Sequence, residues 1–156
     1  MKFYIATDHA GFHYKEQIKE YIRSKGHEIV DLGPETADRV DYPDYGRKCA
    51  EAVRDDEGSF GIVVCGTGIG ISMAANKVPG IRAALCHDAY TASMARAHNN
   101  AQILAFGERV VGMGVVQSMI DAFIHTPFEG GRHERRVEKI NAIDEEYCTS
   151  HPADAR

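Results

Sequence analysis

Three stretches of the chain gather residues that could do chemistry. In the first, Cys65 is followed by Gly66-Thr67-Gly68-Ile69-Gly70. Alternating glycines let successive backbone N–H groups turn to one side with no Cβ in the way, which makes an anion nest where a strand passes into a helix. A thiol at such a helix start is favoured as the thiolate, a base or nucleophile. The same residues also fit a tight strand–helix turn that ends on an inert core thiol. Neither common nucleotide loop fits, because G-x-G-x-x-G would need a glycine at Ile71 and a P-loop would need a lysine after its last glycine. In the second stretch, Asp8 and His9 follow an apolar run. His9 and His13 have the spacing of a metal pair only if a helix has already begun at His9, which Ala10-Gly11 argues against; no further ligand has diagnostic spacing, so no metal is expected. In the third, Arg132 and Arg136 share a helical face that Ile140 continues, so both guanidiniums should border a buried stripe. Such a fork suits a phosphate dianion, or it is a solvated face paired with Glu134 and Glu138.

Three further positions carry weaker signals. Arg109 could bind an anion or pair with Glu108. His98, before Asn99-Asn100, could transfer protons near neutral pH or simply close a helix against its dipole. Tyr42-Pro43 reads as a helix start with proline near its first position.

The elements that must position these residues are legible as alternation. Short β-branched and apolar runs at Phe3–Thr7, Glu28–Leu32, Phe60–Cys65, Arg82–His87 and Gln102–Phe106 read as strands. Helical spacing fills the intervals: Tyr14 to Gly26, Tyr45 to about Gly58, Ile71–Lys77, Tyr90–Ala97, Val115–His125 and Arg132–Tyr147. Near-continuous apolar strands between helices predict a three-layer α/β/α fold with a five-stranded parallel sheet of Rossmann type. In such sheets ligands bind beyond the carboxyl ends of strands, where strand order reverses. If the first and third strands are neighbours there, Asp8, His9 and Cys65 share one crevice.

Bulk properties narrow the function classes. A chain of 156 residues, 44% hydrophobic and 26% charged, is expected to be one soluble domain, residues 1–148, with a frayed tail at 149–156. Its net charge of −5 disfavours nucleic-acid binding, so an anionic partner should be small and held locally. There is no run of about 18 apolar residues, and the early Asp8 ends any signal-peptide core, so no membrane association and a cytoplasmic location are expected. The four cysteines form no C-x-x-C pair and are expected to be reduced.

With those residues in view, the chain resembles the type B ribose-5-phosphate isomerase family, which also contains galactose-6-phosphate isomerase subunits. The likeness runs through Asp8-His9-Ala10-Gly11, Asp41-Tyr42-Pro43, Cys65–Gly70 with Ile71-Ser72, Ala74-Ala75-Asn76-Lys77, His98-Asn99, Leu104–Gly112, Gly130-Gly131-Arg132-His133 and Arg136-Val137. It implies interconversion of ribose 5-phosphate and ribulose 5-phosphate with no metal or other cofactor. It also implies a homodimer, or a dimer of such dimers, with active sites at the subunit interface. The family pattern assigns the general base to Cys65, ring opening to His98, and phosphate contacts to His9, Arg109, Arg132 and Arg136. Members without that cysteine carry a glutamate base elsewhere; Cys65 here, with Ala74 in the following helix, resembles the cysteine subgroup. In this chemistry the N–H groups from Gly66 through Thr67, Gly68 and Ile69 to Gly70 would hold an enediolate oxygen, and Thr67 would pass a proton between oxygens. Asp8 and Asn99 would bind sugar hydroxyls, and Tyr42 would line the pocket. Alternatives are a six-carbon sugar phosphate as substrate, a phosphosugar-binding module without turnover, which leaves Cys65 idle, and a cysteine hydrolase, which has no use for paired arginines.

Overall fold

Residue size alternates along the central strands, and that alternation sorts the core into two unequal layers. The computed structural model describes residues 1–150. In chain order the elements are β1 (Lys2–Thr7), α1 (Phe12–Ser24), β2 (Glu28–Asp31), α2 (Tyr42–Asp55), β3 (Phe60–Cys65), α3 (Ile69–Ala75), β4 (Ala83–Leu85), α4 (Ala89–Asn99), β5 (Ile103–Gly107), α5 (Met113–His125) and α6 (Arg132–Ser150). The sheet order is β2-β1-β3-β5-β4 and every pairing is parallel. Successive side chains of a strand point to opposite faces. Thus Ile5, Ile62, Val64, Leu104 and Phe106 pack with Ile18, Ile22, Met119 and Phe123 on one face. Ala6, Val63, Cys65, Ile103 and Ala105 pack with Cys49, Val53 and Ile71 on the other. The predicted three-layer α/β/α fold is the observed one.

Element ends moved where a partner or cap was invisible in the sequence. β4 is shorter than predicted because it is an edge strand with β5 as its one partner. α3 begins at Ile69, two positions before the predicted Ile71, so Gly70 lies inside its first turn. α2 begins at Tyr42 with Pro43 in its first turn, and α4 begins behind Asp88, whose Oδ1 accepts from the Thr91 N–H at 2.7 Å. α6 runs to Ser150, and residues 151–156 of the expected tail lie outside the described residues.

One expectation about α6 is corrected. Its buried positions are His133 and Val137, whereas Ile140 is 41% exposed and Arg132 and Arg136 face outward with it. The helix is held to the body by the buried His133 and Val137 and by the Arg82–Asn141 and Gly80–Asp144 hydrogen bonds. The Arg132–Arg136–Ile140 face therefore lies away from the core.

The loop after β1 depends on close backbone contact. A Cβ on Gly11 would stand 2.5 Å from the Val64 carbonyl oxygen, so only glycine lets this loop lie on β3. Gly11→Ala is expected to destabilise the fold by about 1–3 kcal/mol through overpacking. Gly114→Ala, in α5 with open space around its Cβ, is expected to stabilise it by about 0.5–1 kcal/mol. Urea unfolding midpoints of the two variants check both signs.

Candidate active site

The chain leaves β1 toward β2 on one side and reaches β3 on the other, so strand order reverses between β1 and β3. Loops diverge there and open a crevice above the carboxyl ends. Asp8 is 5% exposed, and its N–H donates to the Val64 carbonyl at 3.1 Å. Its Oδ1 accepts from the N–H groups of Ala10 at 2.8 Å and Gly11 at 3.1 Å, which fixes the turn and leaves Oδ2 for a ligand hydroxyl. His9 precedes α1, so it shares no helical face with His13. Its Nδ1 rests 3.2 Å from the Val40 carbonyl, which holds the ring against the segment before α2.

Cys65 ends β3 beside these residues. Its Sγ accepts from the Gly68 N–H at 3.1 Å. The loop can curl this tightly because Gly68 has φ +78°, and a Cβ there would stand 2.6 Å from the backbone of Phe106. The end of β5 is stitched to the same loop: the Glu108 N–H donates to the Cys65 carbonyl and the Arg109 N–H to the Gly66 carbonyl, at 3.0 and 3.1 Å. This carries the Arg109 guanidinium over Gly66, where a Cβ would meet it at 3.3 Å. Glu108 does not pair with Arg109; its carboxylate accepts from the Tyr14 N–H in the first turn of α1. The Tyr42 ring covers Gly70 closely enough that a Cβ there would stand 2.6 Å from ring carbons. Thr67 is exposed at the mouth, with its hydroxyl accepting from the Ile69 N–H at 3.3 Å. The first turn of α3 presents the N–H groups of Gly70 and Ile71, which have no carbonyl to meet within the helix.

The predicted residues on the later helices are elsewhere. α4 leaves the carboxyl end of β4 and returns to the amino end of β5, so His98 and Asn99 lie a whole strand away from Cys65. β3 has six residues, roughly 20 Å of strand, longer than a pentose phosphate. Arg82, just before β4, holds this far end together: its Nε donates to the Asn99 carbonyl at 2.9 Å, its Nη2 to the Asn100 carbonyl at 3.1 Å, and its Nη1 to Asn141 Oδ1 at 2.8 Å. The His98 ring stacks on His133 with centroids 4.1 Å apart and planes 5° from parallel. Glu129 Oε2 lies 3.8 Å from His98 Nε2 and 3.4 Å from His133 Nε2. Arg132 and Arg136 are exposed and make no salt bridge among the described residues, with Glu134 and Glu138 no exception. That removes the solvated ion-pair reading of the two arginines.

The structure therefore gathers Asp8, His9, Tyr42, Cys65, Gly66, Thr67, Gly68, Ile69, Gly70 and Arg109 at one end of the sheet. It gathers His98, Asn99, Arg132 and Arg136 at the other. His133 and Glu129 are additions to the second group that sequence reasoning missed. Glu129 and His133 have helical spacing, but only the turn at Gly130 and Gly131, both at positive φ, brings them onto a ring thirty-odd positions earlier.

The chain is similar to several known proteins. A family model described as Ribose/Galactose Isomerase matches residues 3–140, and the chain belongs to that family. Ribose-5-phosphate isomerase B of Escherichia coli is 44% identical over 92% of this chain and 97% of its own length. The solved structure of the Clostridium thermocellum ribose-5-phosphate isomerase B superposes with a TM-score of 0.92 at 50% identity, covering 94% of this chain and 99% of that one. The Mycoplasma genitalium ribose-5-phosphate isomerase B, solved with bound ribulose 5-phosphate, gives 0.89 at 41% identity, covering 93% and 97%.

The cysteines differ sharply in setting. Burial pushes the Cys49 thiol up to about 12 and the Cys86 thiol up to about 11, so both are neutral thiols at any pH near neutrality. Cys148 is exposed. Iodoacetamide at pH 8 is expected to alkylate Cys148 first and to spare Cys49 and Cys86 as long as the fold holds, read by peptide mass spectrometry over time.

Proposed function

We propose that the chain interconverts ribose 5-phosphate and ribulose 5-phosphate through an enediolate, with Cys65 as the general base. The observation that supports this most is the Cys65 sulfur at the switch point with the Gly68 N–H directed onto it. Such an N–H bond is strongest when the sulfur carries charge. Moving a carbonyl between C1 and C2 requires a carbon-bound proton to leave one carbon and arrive at the other. The Cys65 thiolate takes the proton from C2 and returns it to C1. The oxygen that becomes negative meets the Gly70 and Ile71 N–H groups of α3, which need no rearrangement to receive it. The Thr67 hydroxyl moves the proton between the two oxygens, and Asp8 Oδ2 accepts from a sugar hydroxyl while Tyr42 closes the side.

Ring opening and most of the phosphate grip come from a second copy of the chain. His98 and Asn99 act at the sugar ring, and Arg132 and Arg136 join His9 and Arg109 at the phosphate. Two features favour a homodimer. The two groups of residues lie too far apart to meet on one substrate within one chain. Each is also flanked by exposed apolar side chains that a partner would cover: Ile69 at 47% and Met73 at 63% beside the crevice, and Ile140 at 41% and Ile143 at 55% beyond the arginines. The remote phosphate anchors the sugar so that binding energy positions C2 against sulfur. A reducing cytoplasm suits a reaction that needs Cys65 free. No helix among the described residues is long and apolar enough to cross a membrane.

A coupled ketose assay with ribose 5-phosphate, allose 6-phosphate and galactose 6-phosphate tests the substrate; preference for a six-carbon sugar would overturn it. Cys65→Ala is expected to abolish turnover while calorimetric affinity for the substrate holds, because the thiol contributes to proton transfer more than to ground-state binding. Arg132→Ala is expected to raise KM about tenfold to hundredfold, the value of a charge-assisted hydrogen bond. Mixing Cys65→Ala with His98→Asn subunits is expected to restore activity, since a heterodimer then has one intact site. Subunit exchange verified by native mass spectrometry with no activity regained would place Cys65 and His98 in the same subunit's site.

A further inference from the structure

At the far end of the sheet, three donor atoms from three segments converge: His98 Nε2 from the last turn of α4, Glu129 Oε2 from the loop before α6, and His133 Nε2 from its first turn. They all lie within 4.8 Å of one another. The Glu129 N–H donates to the Ala97 carbonyl at 3.0 Å, so the loop carrying the carboxylate is tied to the helix carrying His98. A tetrahedral zinc ion with bonds of about 2.0–2.1 Å holds its ligand atoms roughly 3.3 Å apart. The carboxylate oxygen already stands 3.4 Å from one imidazole nitrogen and 3.8 Å from the other. The parallel rings present their Nε2 edges to the same side, and His98, with 36% of its side chain exposed against 7% for His133, is the ring free to turn toward a shared ion.

We propose that His98, Glu129 and His133 form a binding site for a divalent transition-metal ion of the zinc class, and that an ion bound there inhibits the enzyme. Two imidazoles and one carboxylate are a ligand set that such ions accept, with the fourth position left to water. The ion takes the His98 lone pair that ring opening uses, so inhibition follows; this half rests on the role given to His98 above, whereas binding does not. The Arg132 Nε, donating to His133 Nε2 at 3.4 Å, must swing out, and its charge opposes the ion. The site is therefore weaker than a structural zinc site and reversible.

Zinc chloride titrated calorimetrically into the Cys148→Ala protein, in phosphate-free buffer, is expected to bind at one ion per chain. Cobalt(II) in its place is expected to show d–d absorption without a thiolate charge-transfer band. Isomerisation of ribose 5-phosphate should fall in step with zinc occupancy and return with EDTA. Glu129→Gln, on a side chain 55% exposed, and His133→Asn should each weaken zinc binding by more than the roughly 10–100-fold that loss of an outer-shell partner causes. Circular dichroism establishes that the His133 variant is folded, and the exposed Glu129 variant reads the same site without that demand. Absence of saturable binding, binding unchanged in Glu129→Gln, or a thiolate band overturns the site. Full occupancy with undiminished turnover overturns the inhibition, and with it the role of His98.

Discussion

A parallel sheet makes every crossover helix carry the chain back from the carboxyl edge to the amino edge, and the layout of this molecule follows from that constraint. Residues that end strands and residues that end helices are driven to opposite edges. Cys65 and Asp8 end strands; His98 ends the helix that returns from β4 to β5. No loop rearrangement short of unfolding α4 would bring them together in one chain. The group at the amino edge lies away from the crevice, and Arg132 and Arg136 stand outward with no salt-bridge carboxylate among the described residues. Charge left unpaired on a face next to exposed isoleucines is hard to explain as fold stability. Under the proposed dimer it is economical, because the same charges would hold an anion between two chains.

The same economy separates the thiols. Cys49 faces the same layer as Cys65, but its sulfur meets the Tyr4 carbonyl at 3.7 Å, and burial pushes its thiol up to about 12. The Cys65 sulfur meets a donor, the Gly68 N–H. The left-handed turn at Gly68 points that peptide N–H back at the residue three positions earlier. A side chain at position 68 would collide with β5 and undo the turn.

Much of this was legible in the sequence, and the remainder has identifiable causes. The alternation of strands and helices gave the layers, because period-two and period-3.6 patterns depend on local burial alone. The crevice was legible for a similar reason: Asp8, Cys65 and Arg109 each follow an apolar run, and parallel strands bring such positions to one edge. What the sequence hid was pairing at long range. Glu108 looked like a partner for Arg109 but bonds to the first turn of α1, 94 residues away along the chain. The Arg132–Arg136–Ile140 face looked like the border of a buried stripe, yet the buried side is defined by His133, whose stacking on His98 no periodicity encodes. The family resemblance supplied roles for His98 and the arginines, but only the geometry revealed that they occupy a different edge from the thiol.

Arg82 lies far from the crevice, and its three hydrogen bonds join the end of α4 to α6 through two main-chain carbonyls and one side-chain amide. Lysine could keep the charge but would not span those three directions at once. Replacing Arg82 would therefore strand the Asn141 amide as well as two main-chain carbonyls. Asn100 is itself constrained, by a left-handed φ of 45° and by the Arg96 Nη1 that donates to its Oδ1 at 3.0 Å, so two arginines from different segments hold the end of α4 in register.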